Sequence, residues 1–143
     1  MPNDAVNIGR SLKVFEEAGL IKLKENAGDS PTVKDIAENP KNIKLVEIEH
    51  SQIVRSLDDV DAGIVFVKDA VDAGLDPKKD PIYVNEVDVN DENVKQYINL
   101  IAARKEDENN ETYKKVVKAF HSKEVAEAIK EQFGGAAIPA FDY

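Results

Sequence analysis

Ile8, Leu12 and Phe15 recur at helical spacing behind Asp4, and the pattern stops at Ala18-Gly19. This predicts a helix from about residue 5 to 18, with Asp4 as N-cap and the glycine as terminator. Lys22 to Ser30 is polar and contains Gly28, a loop signal. Ser30-Pro31-Thr32 then opens a short helical pattern through Val33 and Ile36, which ends before Asn39-Pro40. Ile43 to Ile48 is rich in β-branched and apolar residues and reads as a strand; Ser51 to Leu57 reads as helix, and the apolar run Ala62 to Val67 as a buried strand. Asp69 to Gly74 is a short helix closed by glycine, Asp76 to Asp80 is turn chemistry, and Ile82 to Val84 is a further strand. Val87 to Gln96 is acidic and without period, the best linker or crossover. Ile98 to Ala103 follows as a strand. Two helices come next, one carrying Val116, Val117 and Phe120, the other Val125, Ile129 and Phe133, with a stop at Gly134-Gly135. The apolar tail Ala136 to Phe141 is expected to pack down.

Strands alternating with helices predict an α/β layer architecture with a largely parallel sheet, whose ligand would lie near strand ends and helix N-termini. The length, 143 residues with 42% hydrophobic side chains, suits one domain with a core of its own. A formal charge of −9 repels a phosphate backbone, which excludes nucleic acid as a natural partner. The chain has no cysteine, so disulfides, thiolate chemistry and a lipid-bearing cysteine are absent from these residues. No apolar stretch reaches the length of a spanning helix, and Met1-Pro2-Asn3-Asp4 is not a basic region followed by an apolar one.

Asn7 and Arg10 lie three apart on the first helix and project from neighbouring turns. A guanidinium forks onto a carboxylate through two parallel bonds, and a helix start favours an anion, so the pair can grip one ligand. Spacing alone favours the plainer reading, a solvated arginine beside a helix-start asparagine. Asp58, Asp59 and Asp61 lack the longer ligand run of a calcium loop and read as a solvated turn. His50 and His121 are far apart, with no cysteine or paired-histidine spacing for a metal site or triad, and read as surface or capping residues. Lys22, Lys24 and Lys34 are too scattered for a nucleic-acid track. Gly134-Gly135 lacks the strand and lysine of a phosphate loop. No cofactor site and no catalytic constellation emerge, which predicts a protein that is not an enzyme.

The segments Pro2-Asn3-Asp4-Ala5-Val6-Asn7-Ile8-Gly9-Arg10-Ser11-Leu12, Glu17-Ala18-Gly19-Leu20-Ile21-Lys22-Leu23, Pro31-Thr32-Val33-Lys34-Asp35-Ile36, Glu38-Asn39-Pro40-Lys41-Asn42, Arg55-Ser56-Leu57-Asp58-Asp59-Val60-Asp61-Ala62, Ala73-Gly74-Leu75-Asp76-Pro77-Lys78-Lys79-Asp80 and Gly135-Ala136-Ala137-Ile138-Pro139-Ala140-Phe141 together carry a resemblance. In order and over essentially the whole chain, they resemble the NlpA lipoprotein family, the methionine-binding lipoproteins of bacterial ABC importers. The resemblance implies a periplasmic-binding-protein-like fold of two α/β lobes closing on an amino acid, and a permease as partner. It implies that residues 1–88 form the second lobe. Residues 89–143 would be the crossover and, from about 97, the strand and two helices that return to the first lobe. The N-terminal part of that first lobe, the signal sequence and the anchor cysteine are then expected to be lacking, Met1 being an added or internal start. The full-length parent would be lipid-anchored on the outer face of the bacterial membrane.

By the same resemblance Asn7 and Arg10 fall on ligand positions, Arg10 holding the ligand carboxylate, and Asn99 on a position where an asparagine faces the polar end. One departure stands out. After Asp61-Ala62-Gly63-Ile64-Val65 the methionine binders usually continue asparagine-glycine-asparagine, whereas this chain has Phe66-Val67-Lys68. With that amide replaced by Phe66, the ligand's other end would be held differently, so methionine, a related amino acid and a short peptide stay open. Without an aromatic cage from the other lobe, weak or no binding is expected of this chain alone. The strand around Asn99 and the last two helices would lack sheet partners, which makes a homodimer a further expectation. A binding-dead structural or interaction fragment of the same fold is the alternative.

Overall fold

The structure is a computed structural model that describes residues 1–85, 88–92 and 94–143, with only the backbone of Gln96. It divides into two compact units, Met1–Asp76 with Pro81–Asn85, and Pro77–Asp80 with Glu86–Tyr143.

In the first unit, helix α1 runs Ala5–Glu17, and the Asp4 carboxylate accepts the Asn7 backbone N–H, as an N-cap should. Beyond Ala18 the chain turns out of the helix at Gly19, whose φ of +69° suits a residue without a Cβ. The apolar stripe of α1 meets the core: Leu12, 0% exposed, clusters with Met1, Ile21 and Leu23, and Ile8, Phe15, Ile36, Ile43, Leu45 and Ile64 pack around them. Gly9 lets α1 approach the loop, since a Cβ there would stand 3.2 Å from both Pro31 Cδ and Ser30 Cα.

Strand β1 (Lys22–Leu23) pairs antiparallel with β2 (Ile36–Glu38), with an irregular register between its two residues. The short helix expected from Pro31 onward is one 3₁₀ turn, Val33–Asp35, closed by reciprocal bonds between Thr32 and Asp35. Helix α2 (His50–Ile53) continues as 3₁₀ helix through Val54–Asp59, matching the predicted helical segment. Helix α3 (Val67–Asp72) follows, with Phe66 as N-cap and Gly74 at φ +80° after its end.

The predicted strands need correction. Residues 43–48 form a single parallel bridge, Pro2 with Ile48, in which the Ile48 N–H donates to the Met1 carbonyl at 3.0 Å. Residues 62–66 join no ladder, and Val67 already belongs to α3. Ile82 to Val84 is unpaired, with Ile82 92% exposed. Among the described residues the pairings are β1 with β2 and this one bridge, so the largely parallel sheet is not formed by them. The reason is physical: apolar, β-branched sequence favours an extended chain, but a ladder needs a second strand about 4.8 Å away, which local sequence does not encode.

In the second unit, α4 (Glu111–Phe120) starts at Asn110, whose side chain accepts from the Thr112 and Tyr113 N–H groups. Helix α5 (Lys123–Gln132) starts at Ser122, which accepts from Val125, and the chain leaves it through Gly134 and Gly135 at φ +57° and +74°. Both helices fall where the periodicity places them. The predicted strand 98–103 is unpaired here, with Leu100 78% exposed, for the same want of a neighbour. The tail does pack: the Phe141 ring stacks on His121 at 4.8 Å and meets Phe120 at 5.9 Å. The expected linker 87–96 includes Val87 and Asn93, which lie outside the described residues; its remainder holds turns and the start of a 3₁₀ turn at Lys95–Tyr97. Among the described residues no helix is long and apolar enough to cross a membrane.

Candidate functional site

Asn7 and Arg10 occupy the first two turns of α1, and both are half-buried. The helix beneath them is firmly seated, because Leu12 anchors it in the core and the buried Ser11 hydroxyl donates to the Asn7 carbonyl at 2.7 Å. The Asn7 amide donates to both carboxylate oxygens of Asp4 at 3.0 Å. These bonds hold the Asp4 carboxyl below its ordinary range, the Asn7 side chain being the largest cause.

Phe66 stands at the start of α3, half-buried, with its ring 5.3 Å from the His50 ring at a tilt of 42°. His50, the first residue of α2, places Nδ1 2.7 Å from Asp69 Oδ2 and Nε2 3.4 Å from Glu49 Oε1. The hydrogen bond to Asp69 raises the imidazole's pKa most, and the charges of Asp69, Glu49 and Asp4 add to it against partial burial. Asp4 therefore belongs to two groups: it caps and binds Asn7, and it lies in the field of His50. Three of the four predicted ligand positions, Asn7, Arg10 and Phe66, thus lie in the first unit. Asn99 belongs to the second unit, where it is exposed.

The sequence reading passed over the His50–Asp69 pair, whose members are 19 residues apart on two helices. A usable signal was the position of Asp69, three residues after the departure at Phe66 and so on the first turn of the helix it opens. The other clusters remain without a site. Asp58, Asp59 and Asp61 are exposed, and among the described residues no group of three or more His, Asp or Glu side chains is placed to hold a metal ion. Lys22 pairs with Glu38 at 3.5 Å, Lys24 donates to the Lys34 carbonyl, and Gly134-Gly135 closes α5. In the second unit a shallow groove of about 310 Å³ runs along α4 beside Tyr113, Lys114 and Val117; no predicted site residue lines it.

The chemistry available is recognition: a cation and an amide on one helix, and an aromatic ring held beside an imidazole that is itself flanked by carboxylates. A guanidinium suits a carboxylate ligand, and an aromatic face suits an apolar side chain.

The chain is 43% identical over 140 residues to the D-methionine-binding lipoprotein MetQ of Yersinia pestis, covering 96% of this chain and 49% of that protein. It superposes with a TM-score of 0.85 on the crystal structure of the methionine-binding protein MetQ, at 42% identity, over 99% of this chain and 56% of that one. The substrate-binding protein of a methionine transporter from Streptococcus pneumoniae gives 0.81 at 40% identity, over 94% of this chain and 51% of that one. These relatives are named as binding proteins rather than enzymes, and the fold they share with this chain is the α/β fold of substrate-binding proteins. The chain spans about half the length of the curated relatives it matches. The model of the NlpA lipoprotein family matches residues 1–141, and the chain belongs to that family.

Proposed function

We propose that this chain is substrate-binding machinery of an amino-acid ABC importer, which takes methionine, a related amino acid or a short peptide by its carboxylate. Arg10 holds that carboxylate, Asn7 and Asn99 serve the ligand's polar groups, and Phe66 meets the rest. In this reading residues 1–88 act as one lobe and residues 89–143 as the crossover and return to the other. The extended segments then join a largely parallel sheet, a reading to which the single parallel bridge between Pro2 and Ile48 lends support. The partner is a membrane permease, the location is the outer face of a bacterial membrane, and a second copy of the chain is the candidate cover for the open face of α4.

The observation that carries the reading is the family match through residues 1–141 together with a half-buried arginine on the best-anchored helix of the first unit. A half-buried guanidinium grips a carboxylate modestly, so a dissociation constant on the order of 1 mM is expected for these residues by themselves. Isothermal titration with D- and L-methionine tests it: saturable heat in the parent chain, weakened about tenfold or more in Arg10→Ala, supports the reading. No saturable heat, or equal affinity in the variant, overturns it. The second reading, a binding-dead fragment, is favoured by one contact, the engagement of the Asn7 amide by Asp4.

A further inference from the structure

Phe66 stands at the start of α3, and its side chain has no polar atom. The group against its ring is His50, at 5.3 Å. His50 is also bound to Asp69, which is 13% exposed at its side chain and lies one helical turn beyond Phe66. The first residue of α2 is thus tied to the start of α3 at two points, one aromatic and one ionic. The Asp4 carboxylate, which holds the Asn7 amide, adds a smaller favourable charge interaction with His50.

We propose that His50 is a specificity-positioning residue of the ligand site: clamped by Asp69, it fixes the Phe66 ring that receives the ligand's apolar side chain, and its charge offsets the carboxylates beside the carboxylate-binding helix, so that an amino-acid ligand binds more tightly when His50 is protonated. The inference rests on the reading of Asn7, Arg10 and Phe66 as ligand positions.

The groups facing His50 are Asp69 and the Phe66 ring from α3, Glu49 from its own helix start, and Asp4 from the cap of α1. Each of the three charged ones is a carboxylate. Lys68, the neighbouring cation on α3, is paired with Asp72. The protonated ring satisfies Asp69 through Nδ1 and Glu49 through Nε2. The neutral ring keeps a proton on one nitrogen only; with Nδ1–H on Asp69, the Nε2 lone pair faces the Glu49 carboxylate. Deprotonation therefore loosens one end of the clamp. It also removes the positive charge that faces three carboxylates, which weakens the attraction available to an anionic ligand.

The test is methionine titration of the full chain from about pH 5.5 to about pH 8.5, for the parent, His50→Gln and His50→Lys. The parent is expected to lose about fivefold in affinity across that range, the scale of a partly exposed ion pair. His50→Gln is expected to bind weakly with a flat profile, and His50→Lys, positive throughout, to bind with a flat profile closer to the parent at low pH. A structural role alone would lower affinity in His50→Gln without removing the pH dependence. A flat profile in the parent, or an unchanged profile in His50→Gln, overturns the inference while the ligand reading stands. Absence of saturable binding by the parent at every pH overturns the ligand reading, and this inference with it.

Discussion

Helices α1 and α4 carry comparable apolar stripes, yet Leu12 on the first is fully buried while Val116 on the second is 53% exposed. The first stripe is covered by residues 21 to 64 of its own unit. The second leaves Tyr113, Val116 and Phe120 partly open, and among the described residues of its unit Ala126 is the buried apolar one. A periodic stripe is a local property that shows which face must be covered; what covers it is a tertiary matter. The contrast has a functional side. Arg10, the proposed carboxylate grip, rides on the helix with the core, whereas Asn99 sits in an exposed, unpaired stretch.

The contrast can be broken most forcefully at Leu12. Leu12→Ala removes a fully buried side chain and leaves a cavity, and chemical denaturation is expected to show a loss of about 2–5 kcal/mol. A loss below about 1 kcal/mol would mean that the first unit holds no tighter core than the second. Next comes Gly63→Ala, whose new Cβ would lie 2.8 Å from Ile53 Cγ2 and 3.0 Å from Leu57 Cδ2, so that the extended segment over α2 must shift. About 1–3 kcal/mol of destabilisation is expected in thermal unfolding.

A smaller effect follows from pH. His50 has a folded-state pKa above its ordinary value of about 6.5, so its contribution to stability is full below that value and is lost as pH rises through the folded-state one. Protection factors against hydrogen exchange, taken relative to the intrinsic rate at each pH, are expected to fall there in α2 and α3 and to stay unchanged in α5. On the acid side Asp4 and Asp35 are both held low, Asp4 by the Asn7 side chain and Asp35 by the Thr32 backbone first. Their contributions are present above the ordinary carboxylate range and fade as pH falls through their folded-state values. Smallest of all is Val116→Ser on the open face of α4, expected to change stability by no more than about 0.5 kcal/mol.

The helices were legible in the sequence because their determinants are local. Asp4, Asn110 and Ser122 cap within three residues, and glycines at 19, 74 and 134 supply the left-handed turns that follow. The strands were not, since Ile43–Ile48, Ala62–Val67 and Ile98–Ala103 announce extension but not a partner; the short β1 and β2, two and three residues long, carry too little pattern to be seen at all. The site was legible only in part. Asn7 and Arg10 share one helix, so spacing could bring them together, and the resemblance gave the pair a role. His50 and Asp69 meet where the first residue of α2 reaches the first turn of α3, and a lone histidine among acids carries no periodic signal.

The most direct test of the central claim, that the first unit carries the ligand grip on α1, is a residue-resolved NMR titration of the full chain with methionine. Saturable shifts centred on Asn7, Arg10 and Phe66, extending to His50 and abolished by Arg10→Ala, are expected. Shifts confined to α4 and α5, or shifts around α1 that persist in Arg10→Ala, would contradict it.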